Sequence, residues 1–169
     1  MKWNHLIVMI TIVFAHMSFS QNEAKNSASN SIFIEVCGVG GYGSLNYEKA
    51  FFSVNNIVAA LKIGLGTYHV LDPYNKFNPD VIIPFTCSGV YGKNHKIEIG
   101  IGQTYSSIIQ ADLTNLKTDR TSNFSTHFSI GYRYQKAGGG MLFRCCYTPL
   151  IEYNRYYRHW AGVSFGYSF

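Results

Sequence analysis

His127 lies between Ser125 and Ser129, and strand alternation would bring Thr104 and Ser106 to the same side as its ring. An imidazole beside hydroxyl groups is the minimum arrangement for activating an oxygen nucleophile, although such pairs are common. The run Gly38-Val39-Gly40-Gly41-Tyr42-Gly43 matches G-x-G-x-x-G and comes after an apolar strand-like segment. A dinucleotide site also needs a helix amino terminus to hold the pyrophosphate. The next residues, Ser44-Leu45-Asn46-Tyr47-Glu48, alternate like a strand instead, so a turn or a glycine-lined wall is the better reading. Cys37, Cys87, Cys145 and Cys146 include no C-x-x-C pair and no histidine at ligand spacing, so no metal site and no cofactor is expected.

The charges are more informative. Taking each strand by parity puts Glu35, Glu48, Lys62, Glu98, Arg133 and Arg144 on the face opposite the large apolar residues. Three carboxylates then meet three cations inside, and buried charge is tolerated when it is paired and hydrogen-bonded. An interior salt-bridge network is expected, and a charged constriction in a pore is the alternative. The same parity puts Cys37 and Cys146 inside on non-adjacent strands and Cys87 and Cys145 outside, so free thiols are expected.

Eight alternating segments must position these groups: 32–39, 43–51, 56–68, 81–91, 95–109, 123–135, 141–151 and 159–169. In the sixth, Phe124, Thr126, Phe128, Ile130, Tyr132 and Tyr134 alternate with Ser125, His127, Ser129, Gly131, Arg133 and Gln135. An apolar, aromatic face backed by small and polar residues suits a strand with lipid on one side and a crowded lumen on the other. Connections after the second, fourth and sixth segments are tight. Those after the third, fifth and seventh are long (70–80, 110–122 and 152–158), as expected where short turns lie on one side of a membrane and loops on the other. The first connection, at Gly40-Gly41, breaks this rule by being tight. Lys49 and Gln103 also point outward against the pattern, Lys49 near an edge and Gln103 at an expected bulge.

Lys2, the apolar run from Leu6 to Ala15 and the small residues Ser18 and Ser20 resemble a secretory signal over 1–20. A polar leader over 21–31 and a barrel over 32–169 complete the expected organisation. Aromatic residues make up 16% and charged residues 14% of the chain, so Tyr and Phe replace charge on much of the surface. The net charge of +5 is scattered, which argues against nucleic acid as a partner. Trp160 to Phe169 places Ala161, Val163, Phe165, Tyr167 and Phe169 on one face. In the loop before it, Tyr153, Arg155, Tyr156, Tyr157 and Arg158 form a dense aromatic and basic cluster, suited to lipopolysaccharide head groups or to an external ligand.

The segments Phe33–Glu48, Tyr91–Gly102 and Gly131–Leu150, closed by G-V-S-F-G-Y-S-F, resemble the small outer-membrane β-barrel proteins of Gram-negative bacteria, of the eight-stranded outer-membrane protein A/X type. The resemblance implies an all-β, eight-stranded, antiparallel, up-and-down transmembrane barrel in the cell outer membrane. Its partners would be outer-membrane lipid and lipopolysaccharide. It also implies that Val163, Phe165, Tyr167 and Phe169 form the signal read by the barrel assembly machinery. It brings no assigned substrate. A structural or surface-contact role, in envelope integrity or adhesion, is therefore expected. The alternatives are a narrow channel for small or apolar solutes and a lipid A acyltransferase. Some barrels of this size have that activity through His, Asp and Ser near the external rim, which would point to His127, Asp112 and Ser106 here.

Overall fold

The computed structural model describes residues 29–72, 74, 76–112, 117–136, 138–152 and 157–169. The expected signal peptide, most of the leader, and Tyr153, Arg155 and Tyr156 of the contact cluster lie outside these described residues, as does the side chain of Asp112.

The alternating segments form β1 (Asn30–Gly38), β2 (Gly41–Val54), β3 (Ile57–Thr67), β4 (Val81–Gly92), β5 (His95–Asp112), β6 (Lys117–Gln135) and β7 (Gly140–Tyr147). Two short strands come next, β8 (Leu150–Glu152) and β9 (Tyr157–Arg158), and β10 (Ala161–Ser168) ends the series. Each long strand pairs antiparallel with its neighbours in sequence, and β10 joins β7 to β1, from Ser31 opposite Ser168 to Val36 opposite Val163. The ring is closed, so no long barrel strand is left as a free edge within the wall. The eight staves are β1 to β7 and β10. β8 extends β7, because Ile130 opposite Tyr147 and His127 opposite Leu150 keep one register across the gap. Pro149 interrupts the ladder there by lacking an N–H, while its carbonyl still accepts from the Phe128 N–H at 3.1 Å.

The described chain ends meet: the Asn30 N–H donates to the Phe169 carbonyl and the Phe169 N–H to the Asn30 carbonyl, each at 2.9 Å. This end of the barrel, the near end, also holds the tight turns after β2, β4 and β6. Asn55 makes the first of them with φ of 54°, a left-handed value that asparagine tolerates well. At the far end β1 and β2 are joined by only Val39 and Gly40, as the sequence suggests.

Three expectations need correction. The fifth and sixth strands run beyond 109 and begin before 123, pairing as far as Asp112 opposite Lys117, whereas β4 accompanies β5 only to Ser107. The segment expected to be a loop over 110–122 is therefore largely a two-stranded arm standing above the wall. Asp119 to Ser122 show no apolar alternation because they are exposed and face no core that would mark them. Gln103 does point outward, but its pairing with Phe85 and Thr126 is unbroken, and the register irregularity lies instead in β2 between Ala50 and Phe52. At the amino-terminal side the ladder already includes Asn30 and Ser31, so the barrel starts before Ile32.

The two faces differ as a lipid-solvated wall requires. Ile34, Leu45, Leu65, Ile97, Ile99, Ile130 and Phe165 are exposed on the outside, and the Phe143 and Phe165 rings pack at a tilt across β7 and β10 with centroids 5.0 Å apart. Inside, Arg144, Phe33, Ile82, Leu142, His127, Glu35 and Glu98 are fully buried. Glycines on the inner face make that filling possible. A Cβ on Gly102 would lie 2.6 Å from Nε2 of His127, and one on Gly166 would lie 2.3 Å from Cβ of Phe33. Large side chains thus occupy the space that opposing strands leave empty.

Candidate functional site in the barrel interior

All six charges expected inside are buried there. Glu98 is the hub of the network. One of its carboxylate oxygens accepts from Nη2 of Arg144, and the other accepts from Nε of Arg144 at 3.0 Å and Nη1 of Arg133 at 3.4 Å. Arg133 also donates through Nη2 to Glu48 Oε1 at 2.5 Å. Arg144 lies over the Phe33 ring, 4.8 Å from its centroid, adding a cation–π contact to its ion pair. A planar guanidinium can span two carboxylates this way, which a lysine ammonium does less well. Lys62 sits opposite Glu48 in the strand pairing, yet neither it nor Glu35 makes an ion pair within 4 Å among the described residues. The network is therefore four-membered, with Glu35 and Lys62 beside it.

Lys96 is a buried cation that the parity argument passed over. It occupies the inward position two residues before Glu98, and its Nζ donates to Gln135 Oε1 at 3.3 Å. Gln135 Nε2 in turn donates to Ser168 Oγ at 2.9 Å, and Ser31 and Ser168 share a hydrogen bond of 3.1 Å. This closes the near end with a polar layer. Applied to every residue of the fifth strand, alternation would have found Lys96.

His127 forms the next layer toward the far end. It is fully buried, with Nε2 2.9 Å from Thr86 Oγ1 and Nδ1 3.1 Å from Thr104 Oγ1. Both ring nitrogens are thus occupied by threonines. Ser106 instead directs its hydroxyl to the Asn123 carbonyl at 3.4 Å. The structure does not bring His127 and Ser106 together as base and nucleophile.

Above His127 the lumen opens into a vestibule. Thr104, Ser106, Asn123 and Ser125 on β5 and β6 line one wall, while Val39, Ile82 and Leu150 supply apolar surface. Val39, from the two-residue turn, is 2% exposed because that turn folds into the mouth. Tyr42, Tyr68 and Trp160 cluster at the rim, with centroids 5.4 to 6.1 Å apart. Each lies two residues beyond an inward residue of its strand (Ser44, Gly66 and Gly162), so the inner register continues out to the mouth. Gly38 to Gly43 form the β1–β2 turn and its flanks, with Gly38 and Gly41 at φ of 144° and 91°, and the chain continues as strand rather than helix.

Outside the lumen, the loop between β3 and β4 is tied to the arm. Buried Asp80 accepts from the Ile109 N–H at 2.9 Å and lies 3.1 Å from Nδ1 of His69, while Arg120 Nη2 donates to Asn78 Oδ1 at 2.7 Å. Arg158 of the expected contact cluster borders the vestibule. Tyr157 is exposed, and its ring packs edge-on against His159, which hydrogen-bonds to the Tyr147 hydroxyl. Val163, Phe165, Tyr167 and Phe169 point outward.

The described cysteines are free thiols, as expected, but Cys37 is exposed rather than inside. Its φ of 53° turns the backbone and interrupts the alternation at the end of β1. Among the described residues no cluster of three metal-ligating side chains occurs.

No protein-family model matches the chain. No curated protein matches it either. Two solved structures share its fold. The N-terminal β-barrel domain of Pseudomonas aeruginosa OprF aligns with a TM-score of 0.59 at 11% identity, over 86% of this chain and 100% of that one. The Yersinia pestis outer membrane protein Ail, solved in a phospholipid bilayer nanodisc, aligns with a TM-score of 0.50 at 12% identity, over 85% and 100%. The fold is that of an eight-stranded outer-membrane β-barrel.

Proposed function

We propose that this chain is a non-enzymatic barrel of the cell outer membrane, with its near end toward the periplasm and its far end outside, and that it serves envelope structure or surface contact. One observation carries the reading. A single ring of strands turns exposed Ile, Leu, Phe and Tyr outward while burying an ion-pair network within. A soluble ligand-binding barrel would have the opposite facing. Export would depend on residues 1–20. The outward row Val163, Phe165, Tyr167 and Phe169 would be read by the assembly machinery. Tyr157 and Arg158, with Tyr153, Arg155 and Tyr156, would meet lipopolysaccharide. The crossed Arg and Glu side chains argue against a channel, and the two threonines on His127 argue against an acyltransferase.

Fractionation of cells expressing the full chain, then electrophoresis with and without boiling, tests this reading. The expected result is an outer-membrane band whose mobility shifts on boiling. A soluble protein with no shift would remove the proposal.

A further inference from the structure

We infer that the far-end vestibule is a binding site for a single pyranose unit at the end of a glycan. The inference rests on the reading that the far end faces outward. The cavity has two unlike walls. Strands β5 and β6 stand four staves round the ring from β1 and β2, so Ser106, Asn123 and Ser125 look across the mouth at the apolar turn residue Val39. The Asn123 and Ser125 side chains make no hydrogen bond to another described residue, which leaves an amide and a hydroxyl available in both donor and acceptor senses. Tyr68 lines the same space, and the rings of Tyr42 and Trp160 extend an aromatic rim from it.

A pyranose presents this combination, with hydroxyls around its edge and C–H groups on its faces, and the rim rings offer a flat apolar partner for those faces. The cavity encloses about 90 Å³, room for roughly three waters, so one edge of the ring is seated inside and the rest of it lies in the open mouth against the aromatic rim. The floor is sealed by His127 and its threonines, so the sugar enters from outside and stops there. A purely apolar ligand would leave the β5–β6 wall unpaired, and a larger oligosaccharide would have only its terminal unit inside.

The chain has two tryptophans, Trp3 and Trp160, so Trp3→Phe makes Trp160 the only tryptophan reporter, 5.9 Å from Tyr68. The full chain carrying that substitution is folded in detergent, checked for its heat-dependent mobility, and titrated with the methyl glycosides of glucose, galactose and mannose, and with N-acetylglucosamine. A second arm uses the oligosaccharide released from lipopolysaccharide. At least one monosaccharide is expected to give a saturable change with a Kd of about 1–10 mM. Asn123→Ala should weaken it about three- to tenfold, and Ser125→Phe should abolish it by filling the cavity. Tighter binding of the lipopolysaccharide oligosaccharide would assign the site to the membrane's own glycan, and equal or weaker binding would assign it to other glycans. If the folded protein gives no saturable response, or if neither substitution changes the response, the proposal is wrong. Because the titration is done in detergent, it is independent of where the protein resides in the cell.

Discussion

The near and far halves of the lumen are built from the same strands and filled on different principles. In the near half, Glu48, Glu98, Arg133 and Arg144 cross the bore and neutralise one another, and Lys96, Gln135 and Ser168 seal the layer beneath. In the far half the β5–β6 wall carries the short polar side chains Thr104, Ser106, Asn123 and Ser125, Ile82 and Leu150 add apolar surface, and the space is closed only partly, by Val39 folding in from the first turn. Long charged side chains can span a narrow barrel and lock opposite walls together, whereas short polar ones leave room between them. On the proposed reading, the first half supplies rigidity and the second is the place for contact with other molecules.

The sharpest way to break that contrast is to remove the hub. Glu98→Leu leaves Arg133 without one partner and Arg144 without its carboxylate, both still buried. It should lower unfolding free energy by about 3–5 kcal/mol, measured by urea titration of the folded protein in lipid vesicles. A loss of less than about 1 kcal/mol would mean that the network does not lock the near half. On the outer face, Ile130→Arg places a charge in the exposed apolar belt and should cost about 2–4 kcal/mol in the same titration. Phe124→Arg, higher on the same strand near the base of the arm, should cost about 0–1 kcal/mol. Equal costs would contradict the assignment of the belt.

Where the halves meet, Gly102→Ala drives a Cβ to 2.1 Å from the Phe85 carbonyl oxygen and against His127. A loss of roughly 1–3 kcal/mol is expected, with a downward shift in the temperature at which gel mobility changes. The smallest effect belongs to the far half. Asn123→Ala, with its side chain unpartnered among the described residues, should change stability by less than about 0.5 kcal/mol while altering sugar binding.

Alternation made much of this legible, because lipid on one face and a packed lumen on the other mark each residue of a barrel strand by type. It located Glu35, Glu48, Lys62, Glu98, Arg133 and Arg144 inside and the outward row of β10, and it separated eight staves with short turns on one side. It lost its grip where the two environments are alike. Asp119 to Ser122 are exposed, so nothing in their types announces a strand. Cys37 fits parity in the sequence and departs from it in the structure because one backbone angle changes sign. The partners of His127 are a third case. Alternation could say that its ring faces inward, but only the stagger between β4, β5 and β6 decides that Thr86 and Thr104 flank it and that Ser106 does not.

A membrane barrel shut in its near half is tested most directly by single-channel recording. The purified, folded full chain is added to a planar lipid bilayer, with insertion confirmed by heat-dependent mobility of protein recovered from matched vesicles. The expected result is insertion without stepwise conductance for the native protein. Regular, long-lived conductance steps from native protein would show that ions pass the Glu48–Arg133–Glu98–Arg144 layer, and would contradict the sealed lumen.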